Sequence, residues 1–140
     1  MQFKKSYHLS DSIDTVQQAL IDLHQYGQLH PLINGVEKIH SPIQEITNYK
    51  ITEQPFSWLP INIQYFAAVK FSEREVSYEI TGIPLTQAWI AYDLKELKTT
   101  EVEISFNLKI AGFLPGKKIL QYKMVKAQDE LMEAMEKKII

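Results

Sequence analysis

His24 and His30 are the side chains best suited by type to move a proton, because imidazole titrates near neutral pH. They flank the link between two short predicted helices. Either could act as a general base, or as a polar group at the mouth of a pocket. The plainer reading is a surface His24 and a helix-terminal His30 ahead of Pro31. The two are off a single helical face, and no carboxylate stands near them at metal-ligand spacing. No metal site is expected, no cofactor is implied, and no catalytic residue is assigned.

A second group of candidates is aromatic: Tyr49, Phe56, Trp58, Tyr65, Phe66, Tyr78, Trp89, Tyr92, Phe106 and Tyr122. Tyrosine hydroxyls inside an apolar pocket can orient a ligand's polar group. Strands favour aromatics in any case, so ordinary sheet composition accounts for such a set too. Trp58 lies between Pro55 and Pro60 in a predicted loop, a position suited to a rim or lid. Trp89 falls on the strand face opposite Ile90 and Tyr92.

Gln128 sits between Met124 and Leu131 on the last predicted helix. An inward Gln128 needs a partner or a ligand, because an unpaired buried amide costs about 1–3 kcal/mol. Asn62, Gln64, Gln87 and Asp93 are expected to face solvent. So are the scattered carboxylates, Glu53 among them, which form no readable acid–base pair. The run Gly112 to Lys118 lacks the spacing of a phosphate loop.

Composition narrows the classes. With 140 residues the chain is read as one domain, 1–140, large enough to fold around its own core. The absence of Cys removes disulfides, thiolate metal sites and cysteine nucleophiles. A net charge of −2 and a pI near 6.1 offer no basic excess for a phosphate backbone, so no nucleic-acid partner is expected. Lys4 and Lys5 precede no apolar run, so neither a signal peptide nor an integral membrane segment is expected, and the cytoplasm is the expected location.

These candidates must be positioned by the elements around them. Residues 2–9 read as a strand. Asp11 or Ser12 caps a helix from Ile13 to about Leu23, broken at Tyr26-Gly27, with a second short helix or turn around Gln28–Ile33. Asn34-Gly35 reads as a turn. Strands follow at Val36–Ser41, Gln44–Glu53, Ile61–Phe71, Glu75–Thr81, Thr86–Leu97 and Glu101–Ile110. Short connections without intervening helices imply an antiparallel meander.

The chain then closes with an amphipathic helix from about Pro115 to Lys138, striped by Leu120, Met124, Ala127, Leu131 and Met135. Three of its four Met residues, Met124, Met132 and Met135, lie there, and Met suits a surface that adapts to its contents. Such a helix of about 24 residues spans roughly 36 Å. Strands of about 8–11 residues span roughly 26–37 Å. The helix can therefore cross a bent sheet from end to end. The predicted fold is α+β: a curved antiparallel sheet of about six to seven strands gripping a long C-terminal helix, with two short helices after the first strand. A ligand would lie between sheet and helix.

This order, with the segment Ala19–Val36 and the closing Gly112–Lys118 plus helix, resembles the helix-grip fold of the START-related superfamily, also called SRPBCC. That group includes polyketide cyclases and dehydrases, lipid-transfer domains and co-chaperones. The resemblance implies a pocket and leaves the activity open. The foremost reading is a carrier or sensor of a small hydrophobic molecule such as a lipid, quinone or polyketide-like compound. Its expected pocket residues are His30, Trp58, Tyr65, Tyr78, Trp89, Tyr92, Phe106, Leu120, Met124, Ala127 and Gln128. A cyclase/dehydrase-type enzyme and a protein-interaction or co-chaperone-like module are the alternatives. Homodimer formation stays open.

Overall fold

The structure is a computed structural model that describes residues 2–41, 45–54, 62–112 and 117–139, without the side chains of 117–120 and 138–139. The predicted loop with Trp58, the helix start at Pro115 and the side chain of Leu120 lie outside the described residues.

The elements run β1 (Gln2–Leu9), α1 (Ile13–Ile21), α2 (Leu23–Leu29), β2 (Ile33–Ile39), β3 (Thr47–Glu53), β4 (Ile63–Phe71), β5 (Glu75–Thr81), β6 (Thr86–Lys98), β7 (Glu101–Gly112) and α3 (Lys117–Ile139). The seven strands form one curved, open antiparallel sheet in the order β1-β7-β6-β5-β4-β3-β2. Strands β2 to β7 are successive neighbours, as short turns require. β1 closes the far edge against β7, with Tyr7 opposite Ile104 and Leu9 opposite Val102. The chain must therefore travel from one sheet edge to the other between β1 and β2, and α1 and α2 make that journey.

Period-two alternation decides which side of the sheet is the core. Tyr49 and Ile51 on β3 align with Ala67 and Tyr65 on β4, and Tyr78 and Ile80 on β5 with Ile90 and Ala88 on β6. Ile104, Phe106, Leu108 and Ile110 continue the same face on β7, and all of these are buried. Gln64, Gln87 and Asp93 take the opposite parity and are exposed, as expected. From α1 come Val16, Ala19 and Leu20, and from α3 come Leu131, Met132 and Met135. Burying this apolar face is the main source of stability.

The helices differ from the sequence expectation in one instructive way. The first helix ends at Ile21, and Asp22 both closes it and caps the next. The Asp22 amide donates to Gln18 O at 3.1 Å, while its carboxylate accepts from the His24 amide at 3.0 Å. Tyr26 and Gly27 then lie inside α2 rather than breaking it. Gly27 is there for approach: a Cβ at this position would stand 2.7 Å from Val36 Cγ2, so the absent side chain lets α2 settle onto β2. Asn34-Gly35 likewise falls inside β2, where the pairing with β3 shifts register, so the expected turn is a bulge. Ser12 supplies the N-cap of α1, accepting from the Thr15 amide at 3.3 Å.

At the β1 edge α3 is held by polar contacts. Asp129 accepts from Lys5 Nζ at 2.7 Å and from the Tyr7 hydroxyl at 2.6 Å, and Glu136 accepts from the Ser10 amide at 2.9 Å. They tie the helix to β1 and to Ser10 just beyond it, at the sheet edge opposite β2 in strand order. Among the described residues, no helix is long and apolar enough to cross a membrane.

Candidate functional site

A sheet face built only from aliphatic side chains would need no polar atoms inside. This one carries buried tyrosines on four adjacent strands: Tyr49 beside α2, and Tyr65, Tyr78 and Tyr92, which with Tyr26 of α2 form one group of four. All four are buried, so each hydroxyl must find a partner or pay for its lost water. Tyr78 donates to the main-chain carbonyl of Leu20, one of the carbonyls that the end of α1 leaves free. Tyr65 donates to the carboxylate of Glu53. The Tyr26 and Tyr92 hydroxyls stand 2.9 Å apart, and Tyr92 donates to Gln128 Oε1 at 3.0 Å. With Tyr92 donating onward, Tyr26 is the donor to Tyr92, and the chain of bonds runs Tyr26 to Tyr92 to Gln128.

The chain ends on an unpaired atom. Gln128 is 2% exposed, and its Nε2 has no hydrogen-bond partner among the described residues. Turning the amide over would hand Nε2 to Tyr92 and strand the oxygen, so one polar atom is orphaned in either orientation. Gln128 belongs to α3, adjacent to buried Ala127 and one turn before Leu131. The orphan is thus held at the sheet–helix junction.

The rings form a continuous ladder. His30 stacks on Tyr26 with centroids 5.7 Å apart. Tyr26 meets Tyr78 edge-on at 5.5 Å, Tyr78 meets Tyr92 at 5.7 Å, and Tyr92 meets Phe106 at 5.5 Å. Burial raises all four tyrosine hydroxyls well above their usual range, so each remains protonated and available as a donor. Burial is the main cause, and neighbouring groups add to it: Glu53 at Tyr65, and Tyr78 at Tyr26.

Two ionisable groups border the tyrosines. Burial lowers His30 to about 4, so its ring is neutral at physiological pH. Its Nδ1 accepts from the Leu32 amide at 3.2 Å, which leaves the proton on Nε2. His30 therefore presents a hydrogen-bond donor and is a weak base. Burial raises Glu53, and the Tyr65 hydroxyl partly offsets that by stabilising its anion.

Of the residues expected at the site, Tyr65, Tyr78, Tyr92, Phe106 and Gln128 come together, with His30 at one end of the ladder. Ala127 is buried beside Gln128, and Met124 packs partly buried against the core. Trp89 does not join them. It lies on the outer face of the sheet, with Lys109 Nζ 5.2 Å from its ring centroid, in a groove of about 130 Å³ with Lys4, Ala91 and Asn107. His24 is exposed and touches Tyr49 edge-on at 5.9 Å. Two participants escaped the sequence reading. Tyr26, beside Gly27, reads in sequence as a helix breaker, yet it stands one turn after buried Leu23. Glu53 resembles the solvated strand carboxylates in sequence, yet it has the strand parity of Tyr49 and Ile51.

Known structures share this architecture. A START superfamily protein from Mycobacterium smegmatis matches with a TM-score of 0.81 and 14% identity, over 98% of this chain and 95% of that one. The Zhui aromatase/cyclase from Streptomyces sp. R1128 matches with a TM-score of 0.80 and 10% identity, over 96% and 90% of the two chains. The di-domain ARO/CYC BexL from the BE-7585A biosynthetic pathway matches at 0.69 and 11%, with 98% of this chain covering 49% of that one. No protein-family model and no curated protein matches the sequence. The chain therefore has the START-related, polyketide cyclase-like helix-grip fold.

Proposed function

We propose that this protein binds a small, largely apolar molecule between the sheet and α3, and that the ligand offers an oxygen to Gln128 Nε2. The unpaired amide carries the reading. A buried amide without a partner costs about 1–3 kcal/mol, whereas an apolar residue of similar length, such as Met, costs nothing of the kind at that position. A group kept at such a cost points to something that completes it. With Tyr26 donating to Tyr92 and Tyr92 to Gln128 Oε1, the amide is held at that end and Nε2 is the atom left for the ligand. The ring ladder supplies flat apolar surface, suited to a planar or ring-bearing body.

Native mass spectrometry after gentle extraction tests this. The protein is expected to carry a small organic molecule, and Gln128→Met to carry less of it. A chain that leaves the cell empty and ignores a panel of lipids, quinones and ring compounds would sink the reading.

A cyclase/dehydrase-type activity is the second reading, favoured by Glu53 and Tyr65. Their bond joins a carboxylate of raised pKa to a protonated hydroxyl in the interior, an arrangement able to hand a proton to and from a carbonyl compound. Cyclisation with dehydration releases one water, so the bound compound's mass would fall accordingly during incubation. A ligand recovered unchanged favours the carrier.

A further inference from the structure

Glu53 is a carboxylate on the core side of the sheet, and among the described residues its hydrogen-bond partner is a hydroxyl rather than a cation. The ion pairs Lys5–Asp129 and Lys137–Glu133 and the His8–Glu101 contact all lie away from Glu53. His30 is shifted by burial and by no charge, so it does not serve as a counter-ion. What Glu53 does meet is the Tyr65 hydroxyl, and its charge is felt at Tyr26.

The surroundings select by charge. Aromatic faces carry negative electrostatic potential, and Tyr26, Tyr65, Tyr78 and Tyr92 converge on this region. A carboxylate beside tyrosine rings repels an acid, is indifferent to a neutral group and attracts an ammonium. The unpaired Gln128 amide, 2% exposed, provides a separate uncharged station on Tyr92 of β6, as Glu53 provides a charged one on Tyr65 of β4.

From these two stations we infer that the ligand is an amphipathic amine: an apolar, ring-bearing body with an oxygen for Gln128 Nε2 and a protonated amine for the Glu53 carboxylate. The inference rests on the ligand-binding reading above and narrows its chemical class. The amine donates to the Glu53 oxygen that Tyr65 leaves free, and the charge pair forms against the tyrosine rings.

Three probes that share one body separate the possibilities: methoxytryptamine, methoxytryptophol and methoxyindoleacetic acid. Each has the same ring and methoxy oxygen, and they end in an amine, an alcohol and an acid. Calorimetric titration into the full chain at neutral pH is expected to rank the amine at least roughly tenfold tighter than the alcohol, as for a hydrogen bond between charged groups, with the acid weakest. Glu53→Gln is expected to abolish the amine's advantage over the alcohol. If that variant does not fold, the ranking on the unaltered protein still decides. Equal binding of amine and alcohol, or a preference for the acid, overturns the amine while leaving ligand binding intact. Binding of none of the three, together with an empty chain in native mass spectrometry, overturns both.

Discussion

Tyr92 and Gln128 are joined by a 3.0 Å hydrogen bond that spans from the middle of the sheet to the C-terminal helix. The bond satisfies one end of the Gln128 amide and leaves the other without a partner. Every other buried tyrosine hydroxyl of the cluster ends on a carbonyl, a carboxylate or another hydroxyl. The contrast singles out Gln128 as the place where the interior is incomplete.

Replacing Gln128 by Met should separate stability from binding. The variant loses an orphaned donor and keeps its volume, so its unfolding free energy in urea is expected to equal or exceed the parent's. Ligand retention should fall. A destabilisation of more than about 1–3 kcal/mol, the cost of breaking a satisfied buried bond, would mean that the amide is already paired.

Tyr92→Phe acts in the opposite direction. It strips Gln128 of its remaining bond and Tyr26 of its acceptor while the ring contacts with Tyr78 and Phe106 persist. A loss of about 1–3 kcal/mol is expected. Combining it with Gln128→Met should recover part of that loss, and strict additivity in the double-mutant cycle would disconnect the two residues.

The pH response follows from His30. Its folded-state value, about 4, lies below the ordinary 6.5, so the unfolded chain takes up the proton first as pH falls. The contribution is complete above 6.5 and is lost as pH drops toward 4. Glu53, raised from 4.5, acts with the opposite sign: it favours the folded state below 4.5, and that contribution is lost as pH rises through its folded value. His30→Gln should therefore flatten the decline in stability between pH 6.5 and 4, measured by urea midpoints across that range. An unchanged slope would place the His30 ring in water.

The clamp on α3 predicts a local effect. Asp129→Asn weakens the contacts with Lys5 and Tyr7, and these groups are partly exposed, so the global cost should be about 1 kcal/mol or less. Amide exchange in α3 is expected to quicken ahead of exchange in β6 and β7. Leu131→Ala, by contrast, hollows the buried core beneath the same helix and should cost about 2–5 kcal/mol globally. Equal global losses from the two variants would remove the distinction between clamp and core.

Much of this architecture is legible in the residues. Alternation in Glu101–Ile110 and Glu75–Thr81 dictates strands whose buried faces can be named in advance, because period two leaves no freedom once one face is apolar. The same alternation already separates Trp89 from Tyr92. What the sequence hides is local compensation. Gly27 reads as a breaker until Val36 is seen against it, and Asp22 serves two helices at once. Glu53 is legible by parity yet resembles any solvated strand carboxylate until Tyr65 is found bonded to it. Gln128 could be read as an inward amide in need of a partner, but its bond to Tyr92 required the meeting of strand and helix that only folding brings about.

The most direct measurement is an experimental structure of the protein purified under native conditions, read at Gln128 Nε2. The prediction is organic density between the sheet and α3, with an oxygen within hydrogen-bond distance of that nitrogen and a flat body along Tyr78 and Tyr92. A protein side chain or main-chain carbonyl bonded to Nε2, in an interior filled by the chain itself, would contradict it.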